Sequence, residues 1–503
     1  MKFHYFTYYL LAVLIVGLCS CSNKEIENRK PNILFILLDD LGKEWISAYG
    51  AEDIKTPNID ELALTGMRFE NAYSMPQCTP SRITLLTGQY PWRNGWVNHY
   101  DVPRLGHGGR YDPMLNPSFG KMLRDEGYVT CIAGKWQIND FRLEPEATVN
   151  AGFDEYCMWT GGENGSPSKE PSQLRYWDPY IHTKEGSKTY KGQFGEDIFS
   201  DFIIDFMKKN KEKPMMIYYP MCLPHGPLTT TPAKKNVPKE EQHKAMVRYT
   251  DIILEKLINA LEELKIRDNT IIIWTTDNGT GINQIGRMNG RLVRGGKAYL
   301  TENGINAPFI VNCPGIVPEG VVSHELVDFA DILPTFCELA GAKMDPNYIY
   351  DGHSFASHIL GKSTETGRDW IMALGGRFAM LINDRITSAH IFRDRVIRDK
   401  NFKVYVDTVG QVYEIIDLQN DLDEQINLIG SNDPEIIKSK EKFQNVVKKL
   451  PPKDNSPIYN KWNTSYYDHP AKALNKVSRG EKKKYNKTIP ISEEEYLEKL
   501  KRK

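Results

Sequence analysis

The sequence predicts an α/β fold. A central, mostly parallel sheet is sandwiched by helices in a large domain, and a smaller C-terminal antiparallel-sheet domain carries one packed helix. Three observations point to this. Residues 32–38 (NILFILL), 215–219 (MMIYY) and 270–275 (TIIIWT) are unbroken apolar runs, as expected of strands buried on both faces. Helical patterns lie between them. Residues 194–209 place Ile198, Phe202, Ile203 and Phe206 on one face, and residues 247–264 do the same with Ile252, Leu254, Leu257, Ile258 and Leu261. After residue 363 the segments become short, β-rich and turn-separated, at 370–374, 379–382, 402–406 and 412–416, with an amphipathic helical stretch at 436–450.

In chain order, Lys2 precedes an apolar run at 10–18, too short to span a bilayer comfortably and suited to a signal-peptide core. It ends in Leu18-Cys19-Ser20-Cys21, which resembles a bacterial lipoprotein cleavage box, with Cys21 as the lipidated residue. The expected organisation is a signal peptide over 1–20, a polar tether over 21–30, a catalytic domain over 31–362, a small α+β subdomain over 363–450 and a basic polar tail over 451–503. The tail contains Lys482-Lys483-Lys484 and is expected to be solvated. The expected location is the bacterial cell envelope, periplasmic or at the surface, with membrane contact through the lipid alone.

The 503 residues are long enough for a large core. With 64 basic and 65 acidic residues, no global field favours nucleic acid, so anion recognition falls to locally placed cations. The eight cysteines include no Cys-x-x-Cys pair. Cys131, Cys157, Cys222, Cys313 and Cys337 are expected to be mostly buried thiols, with room for one disulfide.

Two of the buried runs end in oxygen ligands, Asp39-Asp40 and Asp277-Asn278. Ligands in parallel sheets bind at the carboxyl ends of strands, and such corners suit a hard divalent cation. Either pair alone is equally suited to capping a helix or starting a turn. The segment Cys78-Thr79-Pro80-Ser81-Arg82, followed by Ile83-Thr84-Leu85-Leu86-Thr87-Gly88, looks like a helix start with proline near its first position. Cys78 is then expected just before the helix N-terminus, where free N–H groups favour an anion.

This Cys-x-Pro-Ser-Arg core with its Leu-Thr-Gly extension resembles the signature of type I sulfatases, in the alkaline-phosphatase superfamily. The resemblance implies that a formylglycine-generating maturation enzyme oxidises Cys78 to formylglycine, whose hydrate attacks the sulfate ester. It implies one Ca²⁺ held by Asp39, Asp40, residue 78, Asp277 and Asn278. Arg82 matches the arginine that holds the hydrate. Lys135 in Gly134-Lys135-Trp136 and Lys297 in Gly295-Gly296-Lys297 match the sulfate-binding lysines, and His225 in Pro224-His225 matches the histidine beside the leaving oxygen. Residues 413–428 resemble the Asp-Leu…Asp…Glu…Asn-Leu segment of the small domain. The match spans roughly residues 31–428.

One position departs from the pattern. The family has histidine two residues after the first lysine, where this chain has Gln137. Glutamine hydrogen-bonds but accepts no proton near neutral pH, so Gln137 is a substrate-site residue of unassigned role. The resemblance implies a sulfatase acting on a sulfated small molecule or glycan. Arg93, Asn94, Trp96, His99, Arg104 and His107, then residues 159–163 with Trp177 and His182, are candidates for the loops that set specificity. A phosphodiester or phosphonate monoester hydrolase of the same superfamily is one alternative. A catalytically degenerate glycan-binding lipoprotein is the other, with Gln137 its only support.

Overall fold

The computed structural model describes residues 29–96, 109–139, 141, 144–159, 174–375, 379–382, 385–388, 392–459, 487 and 490–501. Cys21, the apolar run before it and Lys482–Lys484 lie outside the described residues. No helix among the described residues is long and apolar enough to cross a membrane.

A ten-stranded mixed sheet forms the centre. Its strands are β1 (Asn32–Leu38), β2 (Met67–Tyr73), β3 (Val129–Lys135), β4 (Glu155–Trp159), β5 (Tyr180–Thr183), β6 (Gly186–Thr189), β7 (Met215–Pro220), β8 (Thr270–Thr276), β9 (Asn306–Asn312) and β10 (Val321–Asp328). Their spatial order is β10-β2-β9-β8-β1-β7-β3-β4-β5-β6. The middle, from β8 to β4, is wholly parallel, and antiparallel partners occur only toward the edges.

The apolar run of β1 explains its central place. Ile33, Phe35 and Leu37 enter one core, and Leu34, Ile36 and Leu38 enter the other. Neither face meets water, so neither face needs polar residues. The helices α1 (Pro57–Leu64), α2 (Cys78–Thr87), α3 (Phe119–Asp125), α4 (Gly195–Asn210), α5 (Gln242–Glu263) and α6 (Ile332–Ala340) cover the two faces. On one face, Phe35 stacks on Tyr218 with ring centroids 5.2 Å apart and meets Phe336 of α6 edge-on.

Two helical expectations shift in detail. The buried stripe of α4 runs through Phe199, Ile203, Phe206 and Met207, whereas Ile198 and Phe202 are only half-buried. In α5, Ile253 is buried and Ile252 is exposed. The helix begins five residues before the expected 247, because His243, Ala245 and Met246 extend its buried face.

The smaller domain is an antiparallel sheet of β11 (Ile371–Leu374), β12 (Arg395–Arg398), β13 (Phe402–Val406) and β14 (Val412–Asp417), with α7 (Pro434–Lys448) packed against it. Residues Ala379–Ile382 do form a strand, but it pairs with Arg385–Ser388 in a separate ribbon. The place expected for it is taken by β12, whose Arg395 and Arg398 disguise a buried strand. Arg395 is neutralised by buried Asp454, and Arg398 pairs with Glu302. The small domain shares its core with the large one, since Tyr73, Tyr90, Leu300, Ile305 and Leu326 belong to the same cluster as Val404 and Ile415.

Parts of the tail are anchored. Asp454 is buried, Lys487 pairs with Glu414, and the acidic first turn of the helix Glu493–Lys501 meets Arg287 and Arg294 through Glu493 and Glu495.

Candidate active site

Parallel pairing of β1 and β8 sets Leu38 beside Thr276, so the next residues, Asp39 and Asp277, emerge side by side. The Asp277 amide donates to the Leu38 carbonyl at 3.0 Å, and the Asp39 amide donates to Leu223 at 2.9 Å. Asp40 adopts left-handed backbone, φ 66°, and donates its amide to Asp277 Oδ1. All four predicted oxygen ligands, Asp39, Asp40, Asp277 and Asn278, are buried at these strand ends.

Cys78 faces the same corner. Its sulfur and carboxylate oxygens of Asp39 and Asp277 lie within 4.8 Å of one another. Cys78 is the first residue of α2, with Gln77 as the capping residue, rather than just before the helix, and Pro80 is the third. Position 78 therefore sits in the positive field of the helix N-terminus. Ser81 Oγ donates to the Gln77 carbonyl and fixes this first turn.

Three cations converge on the carboxylates. Arg82 donates through Nε and Nη2 to Asp277 Oδ2 at 3.0 and 2.7 Å. Lys135 Nζ lies 2.6 Å from Asp39 Oδ2, and Lys297 Nζ lies 2.6 Å from Asp40. Burial alone raises the Asp39 pKa, but Lys135, His225, Arg82 and Lys297 together override it and hold that carboxyl well below the usual range. Asp40 is lowered likewise, by His225 and Lys297 against burial. Asp277 goes the other way, up to about 7, because burial and the neighbouring Asp39 charge outweigh Arg82. Burial lowers Lys297, yet Asp40 and the group at position 78 hold it above its ordinary value.

Each lysine is delivered by backbone only glycine permits. Gly134 has φ 118°, and a Cβ there would lie 2.1 Å from the Pro220 carbonyl oxygen. A Cβ on Gly296 would lie 2.4 Å from the Gly304 nitrogen. The loop carrying Lys297 is pinned by backbone hydrogen bonds, the Lys297 amide donating to the Thr280 carbonyl and the Ala298 amide to the Pro76 carbonyl. The small domain reinforces it. Buried Glu424, inside the 413–428 segment, accepts from the Glu302 amide and pairs with Lys403.

His225 closes the corner, with Nε2 3.4 Å from Asp40 Oδ2 and Nδ1 2.5 Å from the Gly226 carbonyl oxygen. Burial depresses its pKa to about 3, and Asp40 pulling the other way does not offset this. Gln137, at φ 65°, has a buried Oε1 without a hydrogen-bond partner.

The residues present fit a divalent cation. Asp39 Oδ1 and Asn278 Oδ1 are buried without hydrogen-bond partners. The donors are carboxylate and amide oxygens, the set a hard cation takes. The Asn278 amide nitrogen donates to Asp40 and Gly279, which turns Oδ1 free.

Of the expected specificity residues, several have structural roles. Arg93 pairs with Asp351, Asn94 bonds the Gln89 carbonyl, Trp96 is core, and His182 is held by Ser187 and the Pro145 carbonyl. Trp177 bonds Thr230, and Trp159 ends β4 as a buried core residue. His99, Arg104, His107 and 160–163 lie outside the described residues. The sequence reading missed Arg175, whose Nη1 lies 3.3 Å from His225 Nδ1. Its place beside Tyr176 and Trp177 offered no more than an aromatic context. The other described cysteines are free buried thiols with no disulfide among them, and burial pushes Cys157, Cys313 and Cys337 up to about 12.

Comparison with known proteins agrees with this geometry. The sulfatase family model matches residues 31–342, over half of the chain. The chain belongs to the sulfatase family. A second model, N-sulphoglucosamine sulphohydrolase, C-terminal, matches residues 295–453 of this chain. The dog (Canis lupus familiaris) N-acetylgalactosamine-6-sulfatase is 30% identical over 356 residues, 66% of this chain and 66% of that enzyme, so the match spans just under two thirds of the relative's length. Human arylsulfatase D is 25% identical, over 73% of this chain and 75% of its own. The crystal structure of Ps i-CgsB superposes with TM-score 0.68 at 26% identity, covering 90% of this chain and 99% of that one.

Gly134→Ala tests how Lys135 is positioned. The methyl group has no room and the backbone is strained, so we expect a loss of at least about 1–3 kcal/mol in urea unfolding, with sulfate-ester turnover falling further than stability alone accounts for.

Proposed function

We propose that this protein hydrolyses sulfate monoesters on carbohydrate, using formylglycine made from Cys78 and one Ca²⁺. The observation that carries this reading is the convergence of Cys78, three buried carboxylates and three cations at the ends of β1 and β8. Asp39, Asp40, Asp277 and Asn278 would hold the ion. When bound, calcium supplies Lewis-acid polarisation of the sulfate oxygens and favours the deprotonated nucleophile. Formylglycine would supply a geminal diol, whose second hydroxyl offers a route to sulfate release that no serine or cysteine ester has.

The chain's own residues divide the remaining work. Lys135 and Lys297 orient the sulfuryl oxygens and stabilise charge that builds on them. Arg82 fixes the side chain at position 78 against Asp277. His225 Nε2 faces the departing oxygen and would protonate it. The ring is neutral in the free protein, and a bound anionic ester favours its protonated form. Asp39, Asp40 and Asp277 balance Arg82, Lys135 and Lys297 in number. A divalent ion therefore leaves the pocket positive, as an anionic ester requires. Gln137 can hydrogen-bond substrate but cannot serve as a base.

A carbohydrate substrate is supported by relatives, one named for N-acetylgalactosamine 6-sulfate and one crystallised as Ps i-CgsB in complex with k-i-k-neocarrahexaose. Envelope anchoring through Cys21 would suit work on external glycans, and maturation requires a formylglycine-generating enzyme in the host.

Mass spectrometry of the peptide bearing Cys78, after co-expression with a maturation enzyme, should find formylglycine, and Cys78→Ala should release no sulfate. An unmodified thiol in an active preparation would overturn the nucleophile assignment. His225→Ala should lower kcat about 10²–10⁴-fold on sugar sulfates but much less on 4-nitrophenyl sulfate, whose leaving group needs no proton. Equal losses on both would remove the general-acid role. Calcium at about 100 times its Kd should stabilise the chelator-stripped protein by about 2.7 kcal/mol, read as a rise in Tm that Asn278→Ala diminishes.

A further inference from the structure

Arg175 is only 6% exposed and has no carboxylate partner among the described residues. Its Nε is buried without a hydrogen-bond partner. The guanidinium lies over the Trp159 ring, 4.1 Å from its centroid, and 5.9 Å from that of Tyr176. Its Nη1 lies 3.3 Å from His225 Nδ1, whose proton is directed at the Gly226 carbonyl oxygen 2.5 Å away, so among the described residues the guanidinium has no side-chain acceptor. The other buried arginines of the large domain and its interface are neutralised, Arg82 by Asp277 and Arg368 by Asp331. A buried cation left without an anion is costly, so such a group implies a partner that arrives from outside.

The position is built rather than incidental. The Tyr176 hydroxyl donates to the Cys222 and His225 carbonyls at 2.6 and 2.5 Å, and Trp177 Nε1 donates to Thr230. The Gly195 amide donates to the Tyr176 carbonyl at 2.7 Å, and a Cβ on Gly195 would lie 2.0 Å from the Arg175 carbonyl oxygen. The segment bearing Arg175 is thus clasped to the loop bearing His225. His225 presents Nε2 toward Asp40 and the reaction centre, and Nδ1 toward Arg175.

We propose that Arg175 forms a second anion subsite, which binds a carboxylate or sulfate on the sugar that departs as alcohol. The inference rests on the sulfatase reading and deepens it. The leaving oxygen meets one side of the His225 ring and the guanidinium stands at the other, so the recognised group belongs to the leaving sugar rather than to the sulfate being cleaved. A guanidinium over an indole ring keeps its N–H groups for paired hydrogen bonds, which suit carboxylate and sulfate oxygens. The substrate class is a sugar sulfate bearing a second negative charge, either a uronate or a disulfated residue.

Wild type, Arg175→Gln and Arg175→Lys should be assayed on four esters. These are 4-nitrophenyl sulfate, a neutral monosulfated sugar, a sulfated uronate-containing disaccharide and a disulfated sugar. Wild type should prefer one anionic sugar over the neutral one, and which it prefers identifies the group. In Arg175→Gln that preference, as a ratio of kcat/KM values, should fall about 30-fold or more, mainly through KM, and Arg175→Lys should recover part of it. Two results would overturn the proposal. One is equal loss on neutral and anionic sugars, which would mean that Arg175 acts only by holding His225. The other is a wild type without preference for either anionic sugar. No sulfate release from any ester by wild type would instead reject the sulfatase reading. Calorimetric binding of the same sugars would then judge the subsite, with weaker binding to Arg175→Gln supporting it and equal binding rejecting it.

Discussion

Three carboxylates buried together at the carboxyl ends of two central strands are the constraint on which the site depends. Asp39, Asp40 and Asp277 cannot all ionise in a dry environment without compensating charge. Arg82, Lys135 and Lys297 supply it, each from a different element, and so α2, β3 and the 295–304 loop are all drawn to the ends of β1 and β8. The residual tension is visible in Asp277, which stays raised even beside Arg82, and in unpartnered oxygens on Asp39 and Asn278. A divalent cation at the site would relieve both.

The scaffold's contribution is to make this arrangement rigid. Parallel register between β1 and β8 places Asp39 and Asp277 within reach of each other. The first turn of α2 holds position 78 in a positive field, locked by Ser81. The small domain reaches in as well. Glu424 bonds the Glu302 backbone in the loop that carries Lys297, and Arg398 reaches Glu302 from β12. Through these contacts the antiparallel sheet becomes part of the support of a lysine at the reaction centre.

The fold was legible wherever burial was complete. The runs that became β1, β7 and β8 bury every residue, so composition alone betrayed them. Legibility failed where charge was buried. β12 reads as polar because Arg395 and Arg398 lie in it, and only Asp454 and Glu302, distant in the chain, make it a core strand. The stripe on α5 was read one residue out because Ile252 and Ile253 are equally apolar, and only the packed sheet selects Ile253. The partners of Arg93 and His182, namely Asp351 and the Pro145 carbonyl, lie far off in the chain, so the sequence offered these residues only as candidates for specificity.

The sequence by itself made the local patterns legible, because the strand-end carboxylates follow buried apolar runs and the Cys78 segment resembles the sulfatase signature as a contiguous motif. Cys78, Arg82, Lys135, His225, Lys297 and the four candidate oxygen ligands could be named from that resemblance. What only the tertiary structure decided is how charges meet. The pairing of each cation with its carboxylate, the unpartnered oxygens of Asp39 and Asn278, and Arg175 without a carboxylate partner beside His225 are all properties of distances between residues far apart in the chain. Electrostatic energy depends on separation and burial, and neither is written in local sequence.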